Sequence, residues 1–256
     1  MGPQVDCVGA TLADELMAEG DGTCPVADLV VENNRRIVIA FVGMAFEARI
    51  AAGPGVQVVC RSAERELAKA VQSAVRQGYR GMISFGVAGG LTSGLRAGDW
   101  VVASAVLESQ NVRVTDAAWS GKLLGMITGA VHAPIVGVDH PVAEPAKKRE
   151  LHRTTGAAAV DMESHLVARL AAAHELAFAA VRVIVDPVHR ELPPAALLGM
   201  RPDGRADVAG VLRDVMTRPS QLSPLARIAV DVFAARAAML RVRRSLGPHF
   251  GLVDLA

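Results

Sequence analysis

Aromatic side chains are scarce in this sequence. Six Phe, two Trp and one Tyr make up 4% of 256 residues, which disfavours a platform for stacking the bases of single-stranded nucleic acid. Cysteine is scarce too. Cys7, Cys24 and Cys60 are odd in number and far apart, so they suggest neither a disulfide framework nor a zinc cluster and fit a reducing cytoplasm. The formal net charge is only +1, so no strong overall field draws in nucleic acid or an anionic membrane. No apolar run is long enough to cross a bilayer, and the N-terminus lacks the basic start and apolar stretch of a secretory signal. His132, His140, His165 and His174 are not spaced as metal ligands, and the reading calls for no metal and no other cofactor. Residues 1–34 contain no Lys or Arg. They read as a poorly ordered leader or an upstream start, ahead of one domain over 35–256.

What is present is a good core. The chain is 51% hydrophobic and 21% charged, ordinary for one α/β domain of this length. Residues 37–42, IVIAFV, form a short apolar run consistent with a buried parallel strand. Further strands are expected at 56–60, 82–85, 100–107, 133–138 and 179–185. Helical patterns lie between them, at 64–76, with Leu67, Ala68, Val71 and Val75 on one face and Gly78 as its stop, and at 147–153. Alternation of this kind predicts an α/β fold with a central mixed sheet flanked by helices. Prolines 187, 193, 194 and 202 break up the next stretch. Helices are expected at 208–216 and 225–246, the latter with Leu225, Ile228, Ala229, Val232, Phe233, Met239 and Leu240 as its apolar face and Arg227, Arg236, Arg241, Arg243 and Arg244 around the rest.

Two acids stand where such a fold can aim them. Asp186 ends an apolar strand and so points into the crevice beyond the strand ends, where α/β sheets bind ligands. Glu163 opens a helix after Asp161 and Met162. A third, Glu47, lies in the strand-to-helix turn GMAFEAR (43–49). Each has a plainer reading: Asp186 as a cap on the turn before Pro187, Glu163 and Glu47 as acids complementing a helix start. The glycines of GVAGGL (86–91) let a ligand lie against main-chain groups, or simply make a tight turn. No GxGxxG precedes a helix there, which excludes the dinucleotide fingerprint.

Taken together, GVAGGL with GDWVV (98–102), VDMES (160–164) with VRVIVD (181–186), and GMAFEAR resemble the purine nucleoside phosphorylase/nucleosidase superfamily. They are nearest its methylthioadenosine/adenosylhomocysteine nucleosidase branch. GMAFEARIA, the proline-rich loop and the terminal SLGPHFG (245–251) look like the hopanoid-associated phosphorylase-like subgroup. The resemblance implies cleavage of a purine N-glycosidic bond, on adenosylhopane, a nucleoside with a polycyclic lipid at the 5′ carbon. It gives Asp186 the role of acid near purine N7, Glu47 that of base for the attacking water, and Arg182 that of organising both water and base. Glu163 would hold the ribose hydroxyls and Met162 its face, with Val87, Ala88 and Gly89 lining the pocket. For Met162 core filling, and for Arg182 a buried ion pair, are the alternatives. The resemblance also implies a homodimer and no metal.

Phosphorylases of this superfamily tend to carry Arg at the position of Ser84 and Ser or Thr at that of Val87. Neither residue here can serve phosphate in that way, which favours water. Arg61 with Ser62, or Arg113, could build another anion site, leaving phosphorolysis as the alternative, with a methylthioadenosine/adenosylhomocysteine nucleosidase or a silent nucleoside-binding protein behind it. Val185 also departs from the Ser usual before the acid, so the support of Asp186 is open. His189 and Arg190 could close over the site. The basic terminal helix could pack on the sheet or touch a membrane surface.

Overall fold

The computed structural model describes residues 37–60, 64–194, 196, 217 and 222–252. The leader expected at 1–34, the helix at 208–216 and the Arg61–Ser62 pair lie outside them. Fourteen elements alternate along the described residues: β1 (Val38–Val42), α1 (Ala45–Ala51), β2 (Val56–Cys60), α2 (Glu64–Arg76), β3 (Gly81–Gly90), β4 (Trp100–Glu108), β5 (Asn111–Val114), α3 (Ala117–Met126), β6 (Val131–Gly137), α4 (Pro145–Thr155), β7 (Ala159–Asp161), α5 (Ser164–Ala173), β8 (Ala177–Asp186) and α6 (Leu222–Ser245). The expected α/β class, a mixed sheet with helices on its faces, is what the chain adopts.

The sheet runs β2-β1-β3-β7-β6-β4-β5, and β8 pairs with both β3 and β4. Strands β3, β8, β4, β6 and β7 therefore form a closed circuit, with parallel β3–β8 and antiparallel β4–β8 pairing. Closure satisfies the main chain of β8 on both sides, so its run FAAVRVIV is buried almost throughout. Successive residues face opposite layers. Val38, Ala40, Val42, Ile83, Phe85 and Val181 join one core with α1, α3 and α6, while Ile39, Phe41, Met82, Val101 and Ala180 join the other with α2 and α5.

Three elements escaped the sequence pattern: β5, α3 and the three-residue β7. Strand β5 is an edge, and Val112 and Val114 face outward there. Helix α3 carries Gly121 and Gly125, which blunt its signal, yet it is anchored by Trp119, whose indole N–H donates to the Phe250 carbonyl at 2.8 Å.

Helix α6 also differs from expectation. Its packed side is Ala235, Ala238 and Met239, continued by Leu246 beyond its end. Of the expected apolar face only Met239 is buried. Val232, Phe233 and Leu240 are exposed, as is Val230. The small alanines allow close approach to β8, so the bulkier side chains are left outside. Arg243 is no surface residue either. It lies 4.5 Å over the Phe250 ring and donates to the carbonyls of Ala51 and Gly247.

Candidate active site

The glycines of β3 are where the site begins. The strand was expected to give way to a loop after Phe85, but it continues in extended form to Gly90. These glycines serve close approach rather than a turn. A Cβ on Gly86 would lie 2.5 Å from Arg182 Nη1 and 2.7 Å from Glu47 Oε1. One on Gly89 would lie 3.1 Å from Asp186 Oδ1, and one on Gly43 2.8 Å from Glu163 Oε1. All three acids named from the sequence thus lie close against glycines, tightly enough at Gly86 and Gly43 that a side chain there would displace them.

Glu47 is the third residue of α1 and is 1% exposed. Its Oε2 accepts from the N–H groups of Gly43 and Met44 at 2.7 and 2.8 Å, and its Oε1 from that of Val87 at 2.7 Å. These donors tie the β1–α1 turn to β3. Burial pushes the Glu47 carboxyl above the ordinary range, although nearby Arg182 and the three N–H groups pull the other way. A carboxyl with a raised pKa takes up a proton more readily, as a general base must.

Arg182 lies in mid-β8, fully buried, opposite Gly86 in the parallel register. Its Nε meets Asp161 Oδ2 at 2.5 Å, its Nη2 donates to Ser84 Oγ at 2.6 Å, and Nη2 stands 3.6 Å from Glu163 Oε2. Burial disfavours its charge, but Asp161, Glu163 and Glu47 outweigh that and hold its pKa above the usual value. Nη1, on the Gly86 and Glu47 side, is buried without a hydrogen-bond partner. Arg182 is thus ion-paired, and one donor is left over toward Glu47.

Glu163 is the residue before α5, two residues past the end of β7. Asp161 organises this corner. Its Oδ1 accepts from the Glu163 and Ser164 N–H groups, and the Ser164 hydroxyl donates to its Oδ2. The helix start is thus capped by Asp161, and Glu163 turns its carboxylate toward Gly43 and Arg182. Met162 and Val87 are half-buried beside these groups in the chain, while Ala88 and Gly89 are buried.

Asp186 ends β8 in register with Gly89, after a bulge at Ala88. It is 7% exposed. Lys148 of α4, fully buried, donates from Nζ to its Oδ2 at 2.6 Å. Burial pushes the Asp186 carboxyl above the ordinary range against the opposing pull of Lys148. Val87 touches Glu47 and Gly89 touches Asp186, so two residues of extended β3, about 7 Å, separate the two ends of the site.

Other candidates fall elsewhere. Arg113 pairs with Glu108 on the β4–β5 hairpin. Arg190 pairs with Asp231 of α6 at 2.7 Å, which ties the segment after Asp186 to the terminal helix, and His189 is exposed. His165 is buried, 3.4 Å from Asp139. Sequence reasoning passed over Lys148, Asp161, Ser164 and Ser84 as working members of the site.

The fold is shared with solved nucleosidases. The methylthioadenosine/S-adenosylhomocysteine nucleosidase of Helicobacter pylori superimposes with a TM-score of 0.55 at 14% identity, over 72% of this chain and 99% of that one. Futalosine hydrolase of Helicobacter pylori gives 0.55 at 15% identity, over 82% and 97%. The nucleosidase of Neisseria meningitidis, solved with methylthio-immucillin-A, gives 0.55 at 16%, over 81% and 97%. At such identities the likeness is one of fold. No curated protein matches the sequence. Residues 33–217, well over half the chain and containing Glu47, Lys148, Glu163, Arg182 and Asp186, match the phosphorylase superfamily, and the chain belongs to that superfamily.

Proposed function

We propose that this protein hydrolyses the N-glycosidic bond of an adenine nucleoside, releasing adenine, with adenosylhopane as the substrate of first choice. Membership of the phosphorylase superfamily makes it an enzyme of the nucleosidase and nucleoside phosphorylase kind. One observation carries the finer reading: Glu47, Glu163 and Arg182 gather at one end of a short glycine-lined stretch of β3, and Asp186 stands at the other. That spacing suits a nucleoside with ribose at the first end and purine at the second.

Each group then has a task its chemistry permits. Asp186, whose pKa burial raises, gives a proton to purine N7, which turns the base into a leaving group. Glu163 accepts from the ribose hydroxyls and favours positive charge growing on the sugar, with Met162 against the ring and Val87, Ala88 and Gly89 along the pocket wall. Glu47 takes a proton from a water that attacks C1′. The spare Nη1 donor of Arg182 orients that water. Ser84 already accepts from Arg182, and it brings no cation for phosphate, which supports water over phosphorolysis.

The lipid part of the proposal draws on helix α6. Val230, Phe233 and Leu240 lie on its outward side, and Arg227, Arg236, Arg241 and Arg244 flank them. An outward apolar stripe with arginines beside it suits a peripheral contact with an anionic bilayer, from which a lipid-linked nucleoside would come. The homodimer implied by the resemblance belongs to the same proposal.

The test is incubation with adenosylhopane, methylthioadenosine and adenosine, each with and without inorganic phosphate, and identification of both products by mass. The proposal expects adenine and a free reducing sugar regardless of phosphate, fastest from adenosylhopane. A ribose 1-phosphate product would select phosphorolysis. Preference for methylthioadenosine would move the reading to that nucleosidase, and tight nucleoside binding without adenine release would leave a binding protein.

A further inference from the structure

The support of Asp186 is unlike anything its neighbours in sequence could provide. Val185 offers no side-chain donor. What meets the carboxylate comes from 38 residues upstream. Lys148 Nζ donates to Asp186 Oδ2 at 2.6 Å, to the Arg190 carbonyl at 3.0 Å, and to the carbonyls of Asp186 and Pro187 at 3.2 and 3.3 Å. Three N–H bonds are shared among four acceptors, so the ammonium is fixed in position. Its place in α4 is fixed too, one turn after Pro145, with its own N–H bonded to the Glu144 carbonyl. A fully buried ammonium needs acceptors for its N–H groups, and besides three carbonyls Lys148 has the Asp186 carboxyl.

We propose that Lys148 is the positioning residue of the acid: its ammonium seats Asp186 by Oδ2, leaves Oδ1 as the oxygen that carries the proton, and stabilises the carboxylate that remains once the purine has been protonated. The inference rests on the nucleosidase reading. Oδ2 is occupied by a donor that cannot accept, so a proton on the carboxyl resides on Oδ1. In the reaction the Oδ1–H bond breaks and N7–H forms. The electron pair of the C1′–N9 bond passes to the base, and water supplies the new C1′–O bond while its proton goes to Glu47. Solvent then returns a proton to Asp186 and removes one from Glu47. Before transfer Lys148 faces a neutral carboxyl, and after it a carboxylate. Its attraction therefore grows along the reaction coordinate, and such an interaction raises kcat rather than lowering KM.

The other charged group near Asp186 is Asp231 of α6, which opposes ionisation. Arg190 turns its guanidinium to Asp231. Removing Lys148 thus removes the largest influence that opposes protonation of Asp186.

The experiment compares wild type with Lys148→Met, Lys148→Ala and Asp186→Asn on methylthioadenosine and adenosine across pH, with a thermal melt of each. For Lys148→Met the expectation is a kcat at least about tenfold lower, KM within about threefold, and the alkaline fall of kcat displaced to higher pH by about one unit. In Lys148→Ala methylammonium should restore rate saturably, and tetramethylammonium, which has no N–H, should not. A lower rate at every pH with an unmoved alkaline fall and no methylammonium rescue would make Lys148 a structural tie and overturn the inference. So would a wild-type rate. If Lys148→Met does not fold, the methylammonium arm decides alone. If Asp186→Asn is inactive while Lys148→Met behaves as wild type, the acid stands and only the role of Lys148 fails. If Asp186→Asn is fully active, the nucleosidase mechanism itself fails.

Discussion

Gly86 shows how much of this site is decided by what a residue lacks. Any side chain there would occupy the space of the Arg182 guanidinium and the Glu47 carboxyl, at 2.5 and 2.7 Å from a Cβ. Both groups are buried and held by several hydrogen bonds, so neither can swing aside as a surface side chain would. Gly86→Ala is expected to lower kcat/KM at least about tenfold and to destabilise the fold by about 1–3 kcal/mol, as overpacking does, measured by steady-state kinetics and a denaturant melt. A variant as active and stable as wild type would mean that the Glu47–Arg182 pair is not held where the structure has it. At this scale the sequence was partly legible. Glu47, Glu163 and Asp186 could be picked out because each sits next to an element boundary, where backbone pattern is informative. Lys148 could not, since it lies in a run with Lys147, Arg149 and Arg153 that looks like a solvated face. Only packing shows which of those cations is inside. Asp161 was visible in the same motif as Glu163, but its work is on the protein, capping α5 and pairing Arg182, and nothing in the motif separates the two roles.

Among elements, the regular and buried ones were the readable ones. Strand β1 and helix α2 follow from apolar runs and a terminal glycine. Strand β7 has three residues, too few for a period, and exists because it bridges β3 and β6. Helix α6 was located well, yet the side it buries was misjudged. Its larger apolar residues look like a core stripe until the alanines that fit against β8 are seen. The outward residues Phe233 and Leu240 carry an element-scale prediction. Phe233→Ser with Leu240→Ser should leave the melting temperature within a few degrees and methylthioadenosine turnover unchanged, since neither side chain is buried. Binding to vesicles containing anionic lipid should fall, as should turnover of adenosylhopane presented in them. A melting temperature lowered by more than about 8 °C would show that these residues are packed against something in the protein itself. Truncation of α6 would not serve, because Met239, Leu246 and Phe250 are part of the core.

At the scale of the molecule, the closed circuit of strands brings the Glu47 and Asp186 carboxyls, from α1 and β8, against β3 at Val87 and Gly89, two residues or about 7 Å apart along that strand. Both are raised above the ordinary range by burial. In the proposed mechanism their needs differ in sign. Asp186 works protonated, so its contribution is present below its pKa and lost as pH rises through it. Glu47 works ionised, so its contribution is lost as pH falls through its own. Arg182 opposes protonation of Glu47, while Lys148 and Asp231 act in opposite directions on Asp186. The fold class and the order of the acids were legible because they follow from local pattern, but this division of labour depends on burial by segments far apart in the chain. The most direct measurement is therefore the pH–rate profile of adenine release by wild type, Glu47→Gln and Asp186→Asn, with nucleoside binding measured in parallel. The account predicts a bell for wild type. It predicts residual rates at least about a hundredfold lower for the variants, with the acidic fall absent in Glu47→Gln and the alkaline fall absent in Asp186→Asn, while both still bind adenosine. A wild-type profile retained in Asp186→Asn would contradict it.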